Sequence, residues 1–151
     1  MRRFFRLPIF LSLLMASLSV SGNPLPKEGK EYKQLEAMGY ELEEIDDVTI
    51  ASRASTAIMF RKMEKYLYAG RIFKVKSFSS LSPAEKMDVL TTINSANAEL
   101  SLTVFYGDQV LNCGIHIYGA YSPSTFGTAV SDIEMCNILF DKYPKLLNLN
   151  P

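Results

Sequence analysis

Apolar and polar residues alternate along two stretches of the chain, and this period of two predicts β-strands. The first stretch gives three strands separated by short polar links. The second gives a hairpin that turns at Gly107-Asp108. Because strands joined by short links pair in antiparallel fashion, we expect one antiparallel sheet. The predicted strands are residues 48–52, 56–62, 66–76, 100–106 and 109–118.

The first and last elements are predicted to be helices, because apolar residues recur there at helical spacing and a helix breaker follows. The first helix covers residues 28–38 and ends at Gly39, since glycine favours the left-handed conformation found after a helix. The last begins at Ser122-Pro123 and extends to about residue 142, where Pro144 ends it.

A middle helix is predicted from residue 83 to about residue 98, and its start has the clearest local signal in the chain. Ser82 occupies the N-cap position, a proline follows, and Glu85 stands at the third helical position. The side chains of Ser82 and Glu85 can each accept a hydrogen bond from the other's backbone N–H. Met87, Leu90 and Ile93 form the predicted apolar stripe.

The predicted element order is α-βββ-α-ββ-α, which belongs to the α+β class. Between the first helix and the first strand, residues 40–47 include five carboxylates. A calcium loop needs a glycine-enabled turn among its oxygen ligands, and no glycine lies in this run. The alternation of Tyr40, Leu42 and Ile45 favours a solvated acidic face instead.

Residues 1–22 have the features of a secretory signal peptide. Three arginines within the first six residues precede an apolar run over residues 7–20, and the predicted cut follows Ser21 or Gly22. The run is shorter than the roughly 20 apolar residues that span a bilayer. We therefore expect a periplasmic or secreted protein with no stable membrane insertion after cleavage. The alternative is an uncleaved anchor at the membrane surface.

The remaining chain has the size of one domain. Residues 23–29 are predicted to be a flexible leader, residues 30–144 the domain, and residues 145–151 a fraying tail. Without the three arginines of the signal peptide, the 16 basic residues fall to 13 against 16 acidic ones. No Lys/Arg run remains to indicate a nucleic-acid partner. Proteins or small molecules are the expected partners.

Both cysteines occupy apolar faces. Cys113 shares one face of a predicted strand with Leu111, Ile115 and Ile117, and Cys136 follows the apolar register of the last helix. A Cys113–Cys136 disulfide would form in an oxidising compartment and close a loop of about 24 residues. Two buried free thiols are the alternative, and the sequence leaves both open.

No catalytic residue, cofactor site or metal site is predicted. The single histidine, His116, lies on a mixed strand face, and no nucleophile motif accompanies it. Two separated cysteines and one histidine do not make a metal-ligand set, and no glycine-rich phosphate loop occurs. We therefore expect a protein that is not an enzyme.

Two asparagines lie three residues apart on the middle helix, at positions 94 and 97. Their amides could form a polar contact point for a partner. The favoured interpretation is structural, because asparagine side chains commonly bond to backbone where a helix ends.

Two strings carry a resemblance to a known family. "LEAMGYELEEIDD" begins at Leu35, and "LTTINSANAELSLTVFYGDQVLNCGIHIYG" begins at Leu90. Together with the capped last helix, they resemble the YbjN family, which is described as candidate bacterial sensory-transduction regulators. The resemblance covers residues 31–143 and is closest at residues 93–100. It implies a fold like that of type III secretion chaperones, which are commonly dimers that bind extended protein segments. Those chaperones are cytoplasmic, so their client class does not carry over to a chain with an export signal.

Aromatic residues on both faces of the predicted sheet exceed what a few short helices can cover. We therefore expect an interface, either a homodimer through the middle helix or an exposed sheet face, or a groove for another polypeptide. The leading hypothesis is an exported, non-enzymatic, chaperone-like or regulatory binding protein. A small-ligand-binding protein or small enzyme, with a pocket between sheet and helices, is the rival, and a purely structural envelope component is a third reading.

Overall fold

The structure, a computed structural model, describes residues 22–107 and 109–149. It contains one six-stranded sheet in which all neighbouring strands are antiparallel, as predicted. The strand order is β1-β2-β3-β4-β6-β5, so β6 lies between β4 and β5. The strands are β1 (Glu41–Ile45), β2 (Val48–Arg53), β3 (Thr56–Lys62), β4 (Tyr66–Lys74), β5 (Thr103–Tyr106) and β6 (Val110–Tyr118).

Four strands, not three, precede the middle helix. The additional strand β1 falls in the acidic segment for which a solvated face was predicted, and its carboxylates are indeed exposed. The segment pairs with β2 from Glu41↔Ser52 to Ile45↔Val48, through a tight turn in which Asp46 has a φ of 53°. Aspartate tolerates this left-handed conformation, so the turn forms without glycine. Because β1 is an edge strand with one partner, it forms despite its low apolar content.

All described helices contribute to one apolar core on a single face of the sheet, which we call the helix face. The opposite face, which we call the second face, has a smaller cluster of its own. The buried members of that cluster are Val48, Ile50, Met59 and Tyr68. The helices are α1 (Lys30–Ala37), α2 (Pro83–Glu99), α3 (Pro123–Glu134) and α4 (Leu139–Lys142), with 3₁₀ turns at Phe78–Ser80, Met135–Ile138 and Pro144–Leu149.

The buried stripe of α2 differs from the prediction. Val89, Ile93 and Ala96 are buried, whereas Met87 is 67% exposed and Leu90 is 45% exposed. Spacings of four and three residues place the buried set on one side of the helix. Ile93 belongs to both stripes, and the small Ala96 lets the observed side approach the core. Met87 and Leu90 of the predicted stripe therefore face away from the core.

The last predicted helix is interrupted near its middle. It is α-helical from Pro123 to Glu134, tightens into the 3₁₀ turn Met135–Ile138, and resumes as α4. Cys136 lies in this turn, and a disulfide joins it to Cys113 of β6, with the two Cα atoms 6.0 Å apart. Both cysteines are fully buried in the main core. The bond thus links the helix layer directly to the sheet.

Both segments predicted as flexible pack onto the domain as far as the structure describes them. In the leader, Asn23 exchanges two backbone hydrogen bonds with Lys62, and Leu25 is buried. In the tail, Leu146 and Leu149 are fully buried. Burial of these apolar side chains outweighs the polar character of their neighbours. The predicted signal peptide, apart from Gly22, lies outside the described residues.

The capping box predicted at the start of α2 is formed. The Ser82 hydroxyl accepts from the backbone N–H of Glu85 at 3.3 Å, and the Glu85 carboxylate accepts from the backbone N–H of Ser82 at 2.7 Å. Bonding to Ser82 holds the pKa of Glu85 below its ordinary value.

Replacing Ser82 by alanine should therefore lower the free energy of unfolding by about 1 kcal/mol, because the Glu85 N–H loses its acceptor. Urea denaturation measures this change. Ser101→Ala, at an exposed loop position, is the matched control and should cost less than about 0.5 kcal/mol. Equal losses in the two variants would contradict the capping role.

Candidate functional site

Four aromatic side chains meet on the second face, where β4 begins and β6 ends. Antiparallel pairing places Tyr66 opposite Tyr118 and Tyr68 opposite His116. The ring centroid of His116 lies 4.9 Å from that of Tyr66 and 5.4 Å from that of Tyr68, and Tyr66 lies 5.5 Å from Tyr118. We call these four residues the aromatic cluster. Its exposure rises toward the end of the sheet, from 8% at Tyr68 to 67% at Tyr118.

The backbone beside the cluster consists of two facing glycines. Gly70 of β4 and Gly114 of β6 are paired directly, and the Tyr68 hydroxyl lies over both. A Cβ atom at Gly70 would come within 2.6 Å of that hydroxyl oxygen, and one at Gly114 within 2.7 Å. Glycine at these positions therefore makes room for the tyrosine side chain.

A cavity of about 90 Å³ opens beside the cluster on the second face. Arg61, the charged residue in its wall, is 4% exposed and forms an ion pair with Asp47 at 3.0 Å. Sulfur and aromatic side chains make up the rest of the wall, which gives it a mainly apolar character. The lining residues are Met59, Arg61, Met63, Tyr66, Tyr68, Phe105 and His116.

Two polar atoms of uncharged side chains buried on the second face have no hydrogen-bond partner within the described part of the chain. They are the Tyr68 hydroxyl and Oδ1 of Asn112, whose side chains are almost entirely buried. Burial raises the pKa of Tyr68 to about 12, partly offset by the nearby Arg61 charge. The hydroxyl thus keeps its proton at physiological pH and can donate to a bound group.

A larger cavity of about 250 Å³ lies at the same end of the sheet, on the helix face. Tyr66 lines both cavities, so the two lie on either side of the start of β4. Charged residues of both signs stand at the larger one, beside the start of α3. Its lining includes Glu31, Lys62, Glu64, Lys65, Ile117, Tyr121, Ser122 and Thr125.

His116 is in contact with aromatic rings in this arrangement. Its neighbours in the cluster are tyrosines, and no described nucleophile or carboxylate forms a hydrogen bond with it. Across residues 22–107 and 109–149, no three His, Cys, Asp or Glu side chains gather as a metal site. No helix in that part of the chain is long and apolar enough to cross a bilayer.

A separate polar network joins α3 to the strands and lies away from the cluster. The Tyr40 hydroxyl donates to Glu134 at 2.6 Å, and Arg53 contacts the same carboxylate oxygen at 2.5 Å. The Tyr40 bond holds the pKa of Glu134 below its ordinary value. Burial, followed by this bond, raises the pKa of Tyr40 to about 12. This network connects elements of the fold.

The sequence patterns placed each residue of the aromatic cluster on a strand, but they did not predict that the four side chains meet. Tyr66, Tyr68, His116 and Tyr118 are recognisable as alternating strand residues, but their meeting depends on the register between β4 and β6. The two asparagines are separate from the site: Asn97 bonds to the backbone of Val104, which is the structural role favoured above, and Asn94 is exposed. The disulfide lies on the helix face.

No protein-family model matches this chain, and no curated protein does. Among solved structures, the chain is similar to the crystal structure of YbjN from E. coli, described there as a candidate transcription regulator. The TM-score is 0.59 at 11% sequence identity, covering 84% of this chain and 99% of that one. The chain has a YbjN-like fold. This likeness confirms the predicted α+β architecture and the family resemblance in fold.

Proposed function

We propose that this protein is a non-enzymatic binding domain with a regulatory or chaperone-like role, and that its partner is another polypeptide. The aromatic cluster carries this proposal, because it lies on the second face, where the packed apolar cluster is made of strand residues. The YbjN-like fold supports the coarser regulatory role, because the solved relative in that fold is described as a candidate regulator.

The chemistry of the cluster suits a protein interface. Tyrosine is enriched among the residues that dominate binding energies, because it buries a large rigid ring and retains a polar hydroxyl. Tyr118 is largely exposed, while Tyr66 and His116 are half-buried. A partner that covers these rings would bury apolar surface without having to displace a packed helix.

The test uses the full chain with a C-terminal tag, expressed in its source cells and cross-linked before purification. A stoichiometric partner polypeptide should co-purify with the wild-type protein and be lost with the double variant Tyr66→Ser and Tyr118→Ser. The loss follows from removing two rings that the partner would cover. Mass spectrometry identifies the partner, and thermal unfolding checks that the variant is folded.

The matched control is a second double variant, Met87→Ser and Leu90→Ser, on the exposed side of α2. It removes similar apolar surface at a distance from the aromatic cluster and should leave the partner bound. Loss of the partner in the α2 variant alone would move the interface to α2. An unchanged partner in both variants would exclude the aromatic cluster as the binding site.

We further propose that the protein acts after export, because residues 1–22 have the composition of a signal peptide. The expected product begins at Gly22 or Asn23 and is found in the periplasm or the medium. N-terminal sequencing of the protein from each cell fraction decides this. A full-length chain starting at Met1 in the cytoplasm would contradict export.

A small-ligand-binding protein is the second candidate, and the 250 Å³ cavity on the helix face favours it. Its mixture of lysines, glutamates and hydroxyls could orient a polar molecule. A thermal-shift screen of small metabolites, repeated with Tyr121→Phe, would identify such a ligand. A shift that the variant abolishes would support this function.

A further inference from the structure

The edges of the sheet are protected unequally. An unprotected edge strand presents a row of backbone donors and acceptors that can pair with another chain. On β1, three of five residues are exposed glutamates, Glu41, Glu43 and Glu44. Charged side chains of this kind discourage strand addition. The β1 edge is therefore a poor acceptor for a further strand.

The opposite edge, β5, is blocked by a side chain. Nδ2 of Asn97, on α2, donates to the backbone oxygen of Val104 at 2.9 Å, and Oδ1 of Asn97 accepts from the backbone N–H of Val104 at 2.6 Å. These are the donor and acceptor that a strand added to β5 would use. The amide of Asn97 thus occupies the place of a neighbouring strand.

Where β6 extends past the end of β5, its outer edge lacks the protection found at β1 and β5. β5 pairs with β6 only from Leu111 to Gly114, whereas β4 pairs with β6 as far as Tyr118. Within the described part of the chain, no strand, side chain or loop hydrogen-bonds the outer edge of residues 115–118. These residues include no charge and no proline. The last four residues of β6 therefore form a neutral, unprotected edge.

The register identifies which backbone groups face outward. Gly107 donates its N–H to the oxygen of Val110, which makes residues 107 and 110 a hydrogen-bonded pair of the hairpin. Bonded pairs recur at every second residue, so the even-numbered residues of β6 direct their N–H and C=O toward the β5 side. His116 and Tyr118 therefore present free backbone donors and acceptors. Both residues also belong to the aromatic cluster.

We propose that this edge of β6 accepts an extended segment of the partner polypeptide as an added strand that continues the line of β5. The inference rests on the proposed protein-binding function and specifies how the partner binds. Backbone hydrogen bonds to His116 and Tyr118 would supply affinity, and side chains alternating between the two faces would supply specificity.

The surroundings of this edge define the chemistry of the partner segment. Side chains directed toward the second face meet His116 and Tyr118, beside the smaller cavity. Those directed toward the helix face meet Ile115 and Ile117, and Ile117 lines the larger cavity. The segment is therefore extended, uncharged over about four residues, apolar or aromatic on both faces, and free of proline where it pairs.

The test distinguishes the contribution of the His116 backbone hydrogen bond from that of the His116 side chain. The probe is a synthetic peptide of four β-branched residues flanked by lysines, titrated into the full chain and followed by NMR. His116→Pro removes the outward N–H without removing a bond to β4, and His116→Ala is its matched control. Binding should be about tenfold weaker for the proline variant than for the alanine variant, because both lack the imidazole ring and only the proline variant lacks the outward N–H.

A second comparison does not depend on folding of the proline variant. The same peptide with alternate core nitrogens methylated cannot pair along its full length, so the wild-type protein should bind it much more weakly. The amide protons of His116 and Tyr118 should also gain protection from exchange when the unmodified peptide binds. Failure of the wild-type protein to bind the peptide, or equal binding by the proline and alanine variants, would overturn the added strand.

The outcomes distinguish this proposal from the proposed function. If the partner in cells requires the tyrosines of the aromatic cluster yet binds His116→Pro and His116→Ala equally, the added strand is wrong and the binding function stands. If light scattering finds a dimer that His116→Pro dissociates and His116→Ala does not, the occupant of the edge is a second copy of this chain.

Discussion

Replacing Phe60 by alanine should lower the free energy of unfolding by about 3–5 kcal/mol. Phe60 is fully buried at the centre of the helix face, and its ring centroid lies 5.9 Å from that of Phe126 on α3. The contact joins the sheet to the helix layer. Truncation would leave a cavity between two layers that cannot collapse without shifting α3. Urea denaturation followed by circular dichroism measures the loss.

The matched control is Phe105→Ala, because Phe105 is half-buried and points toward the second face. Its replacement should cost about 1 kcal/mol, since partly exposed side chains lose less transfer free energy. A loss below about 1 kcal/mol at Phe60 would contradict the packing of α3 on this part of the sheet.

Removing the disulfide should lower the free energy of unfolding by roughly 3 kcal/mol. The bond spans a sequence separation of 23 residues, and closing a loop of this size restricts the unfolded chain. It also connects β6 to the turn after α3 in the main core. The double variant Cys113→Ala and Cys136→Ala, compared with wild type in urea without reductant, measures the effect.

Two controls establish that the bond itself is responsible. Wild-type protein unfolded in the presence of reductant should have the stability of the double variant. The non-reduced protein should be lighter by two hydrogens than the reduced protein in intact-mass measurements. Two thiols that react with an alkylating reagent in denaturant, without prior reduction, would contradict a disulfide and restore the alternative of buried free cysteines.

Local patterns predicted the elements whose signals lie within a few residues. The Ser82-Pro83-Ala84-Glu85 string specifies a helix start because both hydrogen bonds of the capping box form inside it. Alternation along β6 likewise placed Leu111 and Cys113 on the core face, where both are fully buried. For such elements, neighbouring residues supply both the signal and the stabilising contact.

Predictions failed where partners distant in the chain decided the outcome. The strand β1 forms because β2 offers an antiparallel partner, although its own carboxylates gave no strong strand signal. α2 carries two apolar stripes, and the stripe that contains Val89 and Ala96 is the one buried in the core. The leader was predicted to be flexible and the tail to fray, yet Leu25 and Leu149 fill positions in the core.

The sequence by itself determined the α+β class, the helix caps, the antiparallel hairpins and the surplus of aromatic residues, because hydrogen-bonding and turn preferences act over short distances. Only the tertiary structure decided the register between β4 and β6. That register gathers Tyr66, Tyr68, His116 and Tyr118 into one cluster, and the short β5, which pairs only as far as Gly114, leaves the outer edge of residues 115–118 unpaired. Pairing between strands some 45 residues apart depends on the packing of the whole core, which no local pattern encodes.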